Sequence, residues 1–312
     1  MLKVEQPVLK KIAGAGIYGA LQLKSTLSEI FHENTKLYPL SARAYTQNVA
    51  QLGKSAMVKL LMANPFKVYS LMDQAELEPP GEPNELEKLI EARRSVRSYS
   101  GEAVTRQELS RLLLNTYGRI GPKRNYRPVA SGGALYPLEL YVVPVNVEGL
   151  ERGWVYHYNA DRHALDIVRR EDRWEEFRHL VWLADMEDVE KISMVVVVTA
   201  VFARCTMKYQ DRGYRLVLIE AGEVGHNLAL LASSLGLGSC LLGGFLDDAL
   251  SRLLDIDGVD EAPLLPIVVG RPSATNIGGD GVEHAQQGGG GGGGAAQGNG
   301  AGDGNGAARG DR

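Results

Sequence analysis

The sequence predicts an α+β fold, and three observations carry that expectation. Residues 154–158 and 164–169 read as strands separated by the turn signal Asn159-Ala160-Asp161, so they form a hairpin. The stretch 192–202 is short and dominated by valine, as a buried strand is. From Gly213 to Leu235, the residues Val217, Ala221, Val224, Leu228, Leu231 and Leu235 recur at three- and four-residue steps. So apolar a helix must be central or lie at a subunit contact.

The remaining elements follow in chain order. Residues 1 to about 77 read as several short helices, broken at Pro39, at Asn64-Pro65 and at Pro79-Pro80-Gly81, where proline stops a helix from continuing. The uncharged stretch 12–23 follows Lys10-Lys11 without the small-residue cleavage pattern of a signal peptide, and is expected to be a core-facing helix. From about Pro83 the pattern changes. A helix is expected over 84–94. Thr105, with Glu108 three residues on, is a capping box opening a helix to about Tyr117, with Leu109, Leu112 and Leu113 as its apolar stripe. A strand over 138–145 and a helix over 174–185 come next. Strands over 239–242 and 264–269 flank a short helix starting near Asp247-Asp248, whose carboxylates suit a helix N-terminus. From Ser273 onward there is no aromatic residue, and seven glycines run from Gly288. Such a segment cannot bury enough apolar surface to offset its ordering entropy, so a flexible tail is expected. The organisation is a helical extension over 1–82, a main domain over 83–272 and a tail over 273–312.

Composition narrows the function. An apolar share of 44% over 312 residues is ample for a packed core. A net charge of −4 argues against a general nucleic-acid binder, which needs a strongly basic face. Yet between Glu91 and Arg127 nine basic residues face three acidic ones, a local surplus that suits a small anionic ligand or a solvated helix face. Two cysteines, Cys205 and Cys240, are too few for a disulfide scaffold and read as small buried residues. No run of apolar residues reaches the length of a membrane span, so the expected location is cytoplasmic, with no membrane partner.

Three separated stretches carry the candidate chemistry. The first is Arg93-Arg94-Ser95-Val96-Arg97, whose guanidinium forks and hydroxyl suit phosphate oxygens. The second is Ser131-Gly132-Gly133-Ala134-Leu135-Tyr136-Pro137, a glycine turn leading into a buried strand. The third is Leu241-Leu242-Gly243-Gly244-Phe245, with Gly270-Arg271-Pro272 behind it. Glycine lets backbone N–H groups approach a flat polar ring closely. Each stretch has a plainer reading on its own: an arginine-rich helix end, an ordinary turn, a strand-end charge.

Their order and spacing resemble the nitroreductase-like FMN enzymes. The fuller wording from Ser131 to Tyr141 is similar to the branch containing the SagB-type peptide thiazoline and oxazoline dehydrogenases. Residues 208–215, opening on Lys208-Tyr209, and the helix stretch 220–227 follow the same branch, as does Phe31-His32-Glu33-Asn34-Thr35-Lys36, to which no role is assigned. The resemblance spans most of residues 30–272. It implies a nitroreductase-like fold with a mainly antiparallel central sheet flanked by helices, and a homodimer with FMN at the subunit interface. It assigns Arg93, Arg94, Ser95, Arg97, Ser131, Gly132, Gly133, Leu135, Gly243, Gly244 and Arg271 to the cofactor, and Lys208 and Tyr209 to catalysis. Many nitroreductases carry glutamate where Gly243 stands, so ring contacts there would come from backbone alone.

The implied reaction is oxidation of azoline rings in a ribosomally made peptide, with a cyclodehydratase complex as a candidate partner. Lys208 or Tyr209 can assist the proton step. NAD(P)H-dependent reduction of nitro compounds or quinones, and a non-catalytic scaffold in a peptide-modifying complex, stand as alternatives. Glu220, Glu223, His226 and Asn227 share a helix and are expected to make polar contacts rather than bind metal. His157 and His163 are expected to be exposed beside the hairpin turn.

Overall fold

The computed structural model describes residues 26–63, 65–121, 126–183 and 186–274. The expected helix over 12–23 lies outside them, as does the expected tail apart from Ser273 and Ala274. In chain order the helices are α1 (Leu27–Thr35), α2 (Pro39–Gly53), α3 (Ala56–Ala63), α4 (Glu85–Ala92), α5 (Arg106–Tyr117), α6 (Trp174–Phe177), α7 (Ala203–Tyr209), α8 (Asp211–Ser234) and α9 (Asp247–Leu254). The strands are β1 (Leu138–Pro144), β2 (Val155–Asn159), β3 (Ala164–Arg169), β4 (Met194–Val201), β5 (Gly238–Leu241) and β6 (Glu261–Gly270).

The strands form one sheet in the order β3-β2-β1-β4-β6-β5, and every neighbouring pair is antiparallel. The valine run of β4 lies at its centre. Met194, Val196, Val198 and Ala200 join Leu138, Leu140 and Val142 on the face covered by α5 and α8. Val195 and Val197 join Tyr141 and Val143 on the opposite face, against Trp174, Phe177, Leu250 and Leu254 of α6 and α9. A strand covered on both faces needs a continuous apolar run rather than alternation, which explains the five consecutive apolar residues Met194 to Val198, all fully buried.

Helix α8 is long and apolar enough by composition to cross a bilayer. Here Val217, Ala221, Val224, Leu228 and Ala232 are buried against the sheet, the central position its periodicity predicts. Its other side keeps Leu218 and Ile219 exposed. The β2–β3 hairpin forms as expected, with a bulge at Val155/Tyr156. Cys205 and Cys240 are both buried.

Local signals hold best at helix starts. Thr105 Oγ1 accepts from Glu108 N at 3.1 Å, and Glu108 Oε2 accepts from Thr105 N at 2.9 Å, closing the expected capping box. Asn84 caps α4 in the same way. The expected break at Pro39 is present: α1 ends at Thr35, and Pro39 opens α2, where the first helical turn needs no N–H from its residues. One reading is corrected. The helix expected over 174–185 ends at Phe177. Beyond it, Val181 bridges to Phe245 and Trp182 N donates to Gly244 O at 2.9 Å, a long-range pairing that outcompetes further helix.

Thr105→Ala removes the cap of α5 and should cost about 1 kcal/mol in urea denaturation. An unchanged midpoint would show that packing rather than the cap fixes the start of this helix.

Candidate functional site

The glycine loop is pinned from both faces of the sheet. Gly132, Gly133 and Ala134 form a single 3-10 turn before β1, with Gly133 at φ 68°, Ala134 at 54° and Tyr136 at 46°. These left-handed conformations are held by Ser131, whose carbonyl accepts from Ala134 N at 3.0 Å and whose Oγ accepts from Tyr136 N at 2.9 Å. On the α5/α8 face, Tyr117 Oη donates to Glu220 Oε1 at 2.5 Å, and Glu220 also bonds Ser131. The Arg127 guanidinium lies 4.4 Å from the Tyr117 ring centre and 5.3 Å from that of Tyr136. On the opposite face, Arg204 Nη1 donates to Tyr136 O at 3.2 Å and pairs with Glu139 at 2.5 Å.

Glu139 also lies 3.0 Å from His157 Nε2. Burial opposes charge on both, but the Glu139 bond outweighs it and raises His157, while His157 and Arg204 hold Glu139 below its usual range. His157 is therefore half-buried and paired, not free in solvent. His163 is likewise engaged, with Ser110 and Tyr158 at 2.8 Å. Arg119, Arg127, Tyr136, Glu139 and His157 line a cavity of about 550 Å³ beside the loop.

The Lys208–Tyr209 pair meets the loop directly. A Cβ placed on Gly133, whose φ is 68°, would lie 2.6 Å from Tyr209 Oη and 2.8 Å from Lys208 Nζ, so a side chain there would push both groups away from the loop. Lys208 is exposed, with Nζ 5.1 Å from the Tyr209 ring centre. Gly132 rests against Leu216, and Leu135 packs on the core.

The arginine stretch lies elsewhere. Ser95 bridges to Ser239 of β5, with Val96 N donating to Ser239 O at 2.9 Å. Ser100 N reaches Arg271 O at 2.9 Å, which brings residues 95–100 beside the end of β6. Arg94 turns back to the carbonyls of Glu91 and Arg93. Among the described residues no carboxylate pairs with Arg93, Arg94 or Arg97. Arg271 differs: its Nη2 donates to both Glu108 oxygens at 2.9 Å and its Nε to Ala103 O at 3.2 Å. Burial would raise Glu108, but bonds from Thr105 and Arg271 keep it below the usual carboxylate range.

Gly243 has open space where a side chain would stand, whereas a Cβ on Gly244 would fall 1.8 Å from the Trp182 ring. Gly244 is thus a glycine because Trp182 packs on it.

Strand register keeps the two groups apart within one chain. Leu138, next to the loop, is level with Ala200 and Ala262, while Arg271 follows Gly270. Eight residue steps of β6 correspond to about 26 Å. The structure brings together the loop and Lys208–Tyr209 at one end of the sheet. At the other end, the backbone of residues 95–100 runs beside the ends of β5 and β6, and the Arg271 guanidinium is held by Glu108 and Ala103.

Sequence reasoning missed Arg204, Arg127, Tyr117 and Glu139, and took Glu220 only as a polar contact. The signal available was an acid inside an apolar run: Glu139 between Leu138 and Leu140, and Glu220 among the apolar residues of α8. Among the described residues, no group of three or more His, Cys, Asp and Glu comes close enough to hold a metal.

A family model described as the nitroreductase family matches residues 90–271. MJ1384 of Methanocaldococcus jannaschii, named as a nitroreductase, is 40% identical over 202 residues, covering 64% of this chain and 98% of that protein. The microcin B17-processing protein McbC of Escherichia coli is 32% identical over half of this chain, and the match spans 58% of McbC. Among solved structures, a protein from Anabaena variabilis described as a nitroreductase aligns with a TM-score of 0.52 at 31% identity, over 61% of this chain and 38% of that one. The E. coli microcin synthetase McbBCD, with truncated pro-MccB17 bound, shares the fold at a TM-score of 0.51 and 24% identity over 80% of this chain and 99% of that one.

Burial raises the Glu220 carboxyl above its usual range against the pull of the Tyr117 and Ser131 bonds. The folded protein then holds this proton to higher pH than the unfolded chain does. Stability tied to it is full below the unfolded value and falls as pH rises through the folded one. Glu220→Gln should flatten that decline when denaturation midpoints are compared from about pH 4 to about pH 8. An equal slope in the variant would assign the titration to another group.

Proposed function

This chain belongs to the nitroreductase family, and from that premise we propose that it is an FMN-dependent oxidoreductase that oxidises thiazoline or oxazoline rings of a ribosomally made peptide to thiazoles or oxazoles. The observation that carries the reading is the contact of Lys208 and Tyr209 with Gly133, which sets a proton-handling pair against the glycine loop. The relatives named for microcin B17 and trifolitoxin processing, at 32% and 28% identity, support a peptide substrate.

The residues fit the cofactor. Among the described residues no carboxylate neutralises the donors of Arg93, Arg97 and Ser95, which suit a dianionic phosphate. The backbone at Gly243 has open space for a flat ring. FMN, when bound, supplies the two-electron acceptor. Aromatising an azoline removes one proton from Cα and one hydride from the adjacent carbon. Lys208 Nζ or Tyr209 Oη takes the proton, and the Ser131 and Arg204 bonds hold the loop still beneath them.

A homodimer is part of the proposal. Loop and arginines stand at opposite ends of one sheet, so the arginines of a second copy would complete each site. The exposed Leu218 and Ile219 of α8 supply apolar surface for the contact. A cyclodehydratase is the proposed further partner. Reduction of nitro compounds or quinones with NAD(P)H is a second reading, favoured by the near-complete overlap with MJ1384.

The purified protein should be yellow. Arg97→Ala should weaken FMN binding about ten- to a hundredfold, since a charge-assisted phosphate contact contributes roughly 1.5 to 3 kcal/mol. Lys208→Ala and Tyr209→Phe should retain flavin yet slow azoline oxidation by about 10²- to 10⁴-fold. Parental rates in both variants would make the pair structural. Turnover of NADPH with a quinone, and none with azoline peptides, would put the reductase reading in first place.

Sedimentation of the flavin-loaded protein should give a dimer. A monomer that keeps its flavin would refute the shared site.

A further inference from the structure

The segment Phe31-His32-Glu33-Asn34-Thr35-Lys36 has no part in the site described above, yet the structure ties it to the turn that carries Lys208 and Tyr209. That turn is tight. Helix α7 stops at Tyr209 and α8 starts at Asp211, with Gln210 between them at φ 50°, ψ −142°, a conformation that a residue with a side chain rarely adopts. The two helices touch backbone to backbone: a Cβ on Gly213 would stand 2.9 Å from the carbonyl of Cys205. Such a turn persists only where its surroundings hold it.

Helix α1 is what grips it. At its N-terminus, Asp211 Oδ1 accepts from Ser28 N at 3.0 Å and from Ser28 Oγ at 2.8 Å. The Ser28 backbone bond, then its hydroxyl, holds the Asp211 carboxyl below its usual range, so this acceptor stays charged. One turn along, His32 is buried. Its Nδ1 lies 3.2 Å from Tyr214 Oη, its ring meets Phe202 edge-on at 4.9 Å, and its Nε2 has no hydrogen-bond partner among the described residues. Phe202 precedes α7, and Tyr214 lies in the first turn of α8. Two residues of α1 therefore hold both arms of the α7–α8 corner.

The other end of α1 is fastened separately. Lys36 Nζ is buried, donates to Gly258 O at 2.8 Å and pairs with Asp248 at 3.3 Å, while Leu37 N donates to Asp247 Oδ2 at 2.8 Å. The helix is a strut between the α7–α8 corner and the start of α9.

We propose that Ser28 and His32 are positioning residues: through Asp211, Tyr214 and Phe202 they set the angle between α7 and α8 and so fix Lys208 Nζ and Tyr209 Oη over Gly133. The inference rests on the reading of Lys208 and Tyr209 as the proton-handling pair. A displacement of about 1 Å at reacting groups can slow turnover up to about a hundredfold without touching binding.

The test uses the full-length, flavin-loaded protein, reductively methylated with ¹³C so that Lys208 gives its own NMR signal, assigned by its loss in Lys208→Arg. In Ser28→Ala and in Ser28→Ala/His32→Ala the Lys208 signal should shift and broaden. The kcat for an azoline peptide should drop about ten- to a hundredfold with KM and bound flavin unchanged. His32→Asn keeps a polar atom at the Nδ1 position and should recover most of the loss, and Leu27→Ala, on the exposed side of α1, should leave signal and rate alone.

An unmoved Lys208 signal in the folded double variant overturns the proposal whatever the rate does. If the signal moves while the unmodified protein oxidises no azoline, the strut stands and the proposed reaction falls. Should the double variant fail to fold, Ser28→Ala, which deletes a single hydroxyl, decides by the same signal.

Discussion

Strand β4 is the constraint on which the other elements depend, because five consecutive residues from Met194 to Val198 are fully buried and both faces of the sheet must then be covered. One cover is α5 with α8, and the other is α6 with α9. Since β4 is central, β1 and β6 must flank it, and the antiparallel register fixes which ends of those strands coincide. The start of β1 meets the end of β4 and the start of β6. From that follow the place of the glycine loop at one end of the sheet and the place of Arg271 at the other.

The polar groups inside this apolar frame have a common purpose. Glu220 reaches the loop from one face through Ser131, and Glu139 reaches it from the other through Arg204 and the Tyr136 carbonyl. Buried carboxylates are costly unless hydrogen-bonded, and each of these has at least two partners. A loop with three left-handed residues among four successive positions would not keep its shape through local preference alone. The frame supplies that shape, and the same frame leaves Gly133 in contact with Lys208 and Tyr209.

What could be read from the sequence, and what could not, divides by distance along the chain. Capping at Thr105, the hairpin about residues 159–161 and the stripe of α8 are set by residues within a few positions of one another, and all three stand as expected. The early end of α6 is set by Val181 and Trp182 meeting Phe245 and Gly244, some sixty residues away. The burial of His157 and His163 likewise depends on Glu139 and Ser110. The glycine and arginine stretches were recognisable as motifs. That they occupy opposite ends of one sheet is a matter of register, which no single stretch encodes, and the reason for Gly244 is an indole ring that periodicity does not place.

Helix α5 joins those two ends. Its first turn holds Glu108, which grips Arg271, and its last residue is Tyr117, which grips Glu220 and through it Ser131. Twelve residues of α-helix make a rod about 18 Å long, stiff along its axis because every turn is bonded to the next. A rod fixed at both tips passes a push on one tip to the other as translation, with little lost to bending. Mechanically, then, the arginine end and the glycine end of this sheet are a single lever, and neither can be displaced without loading the other.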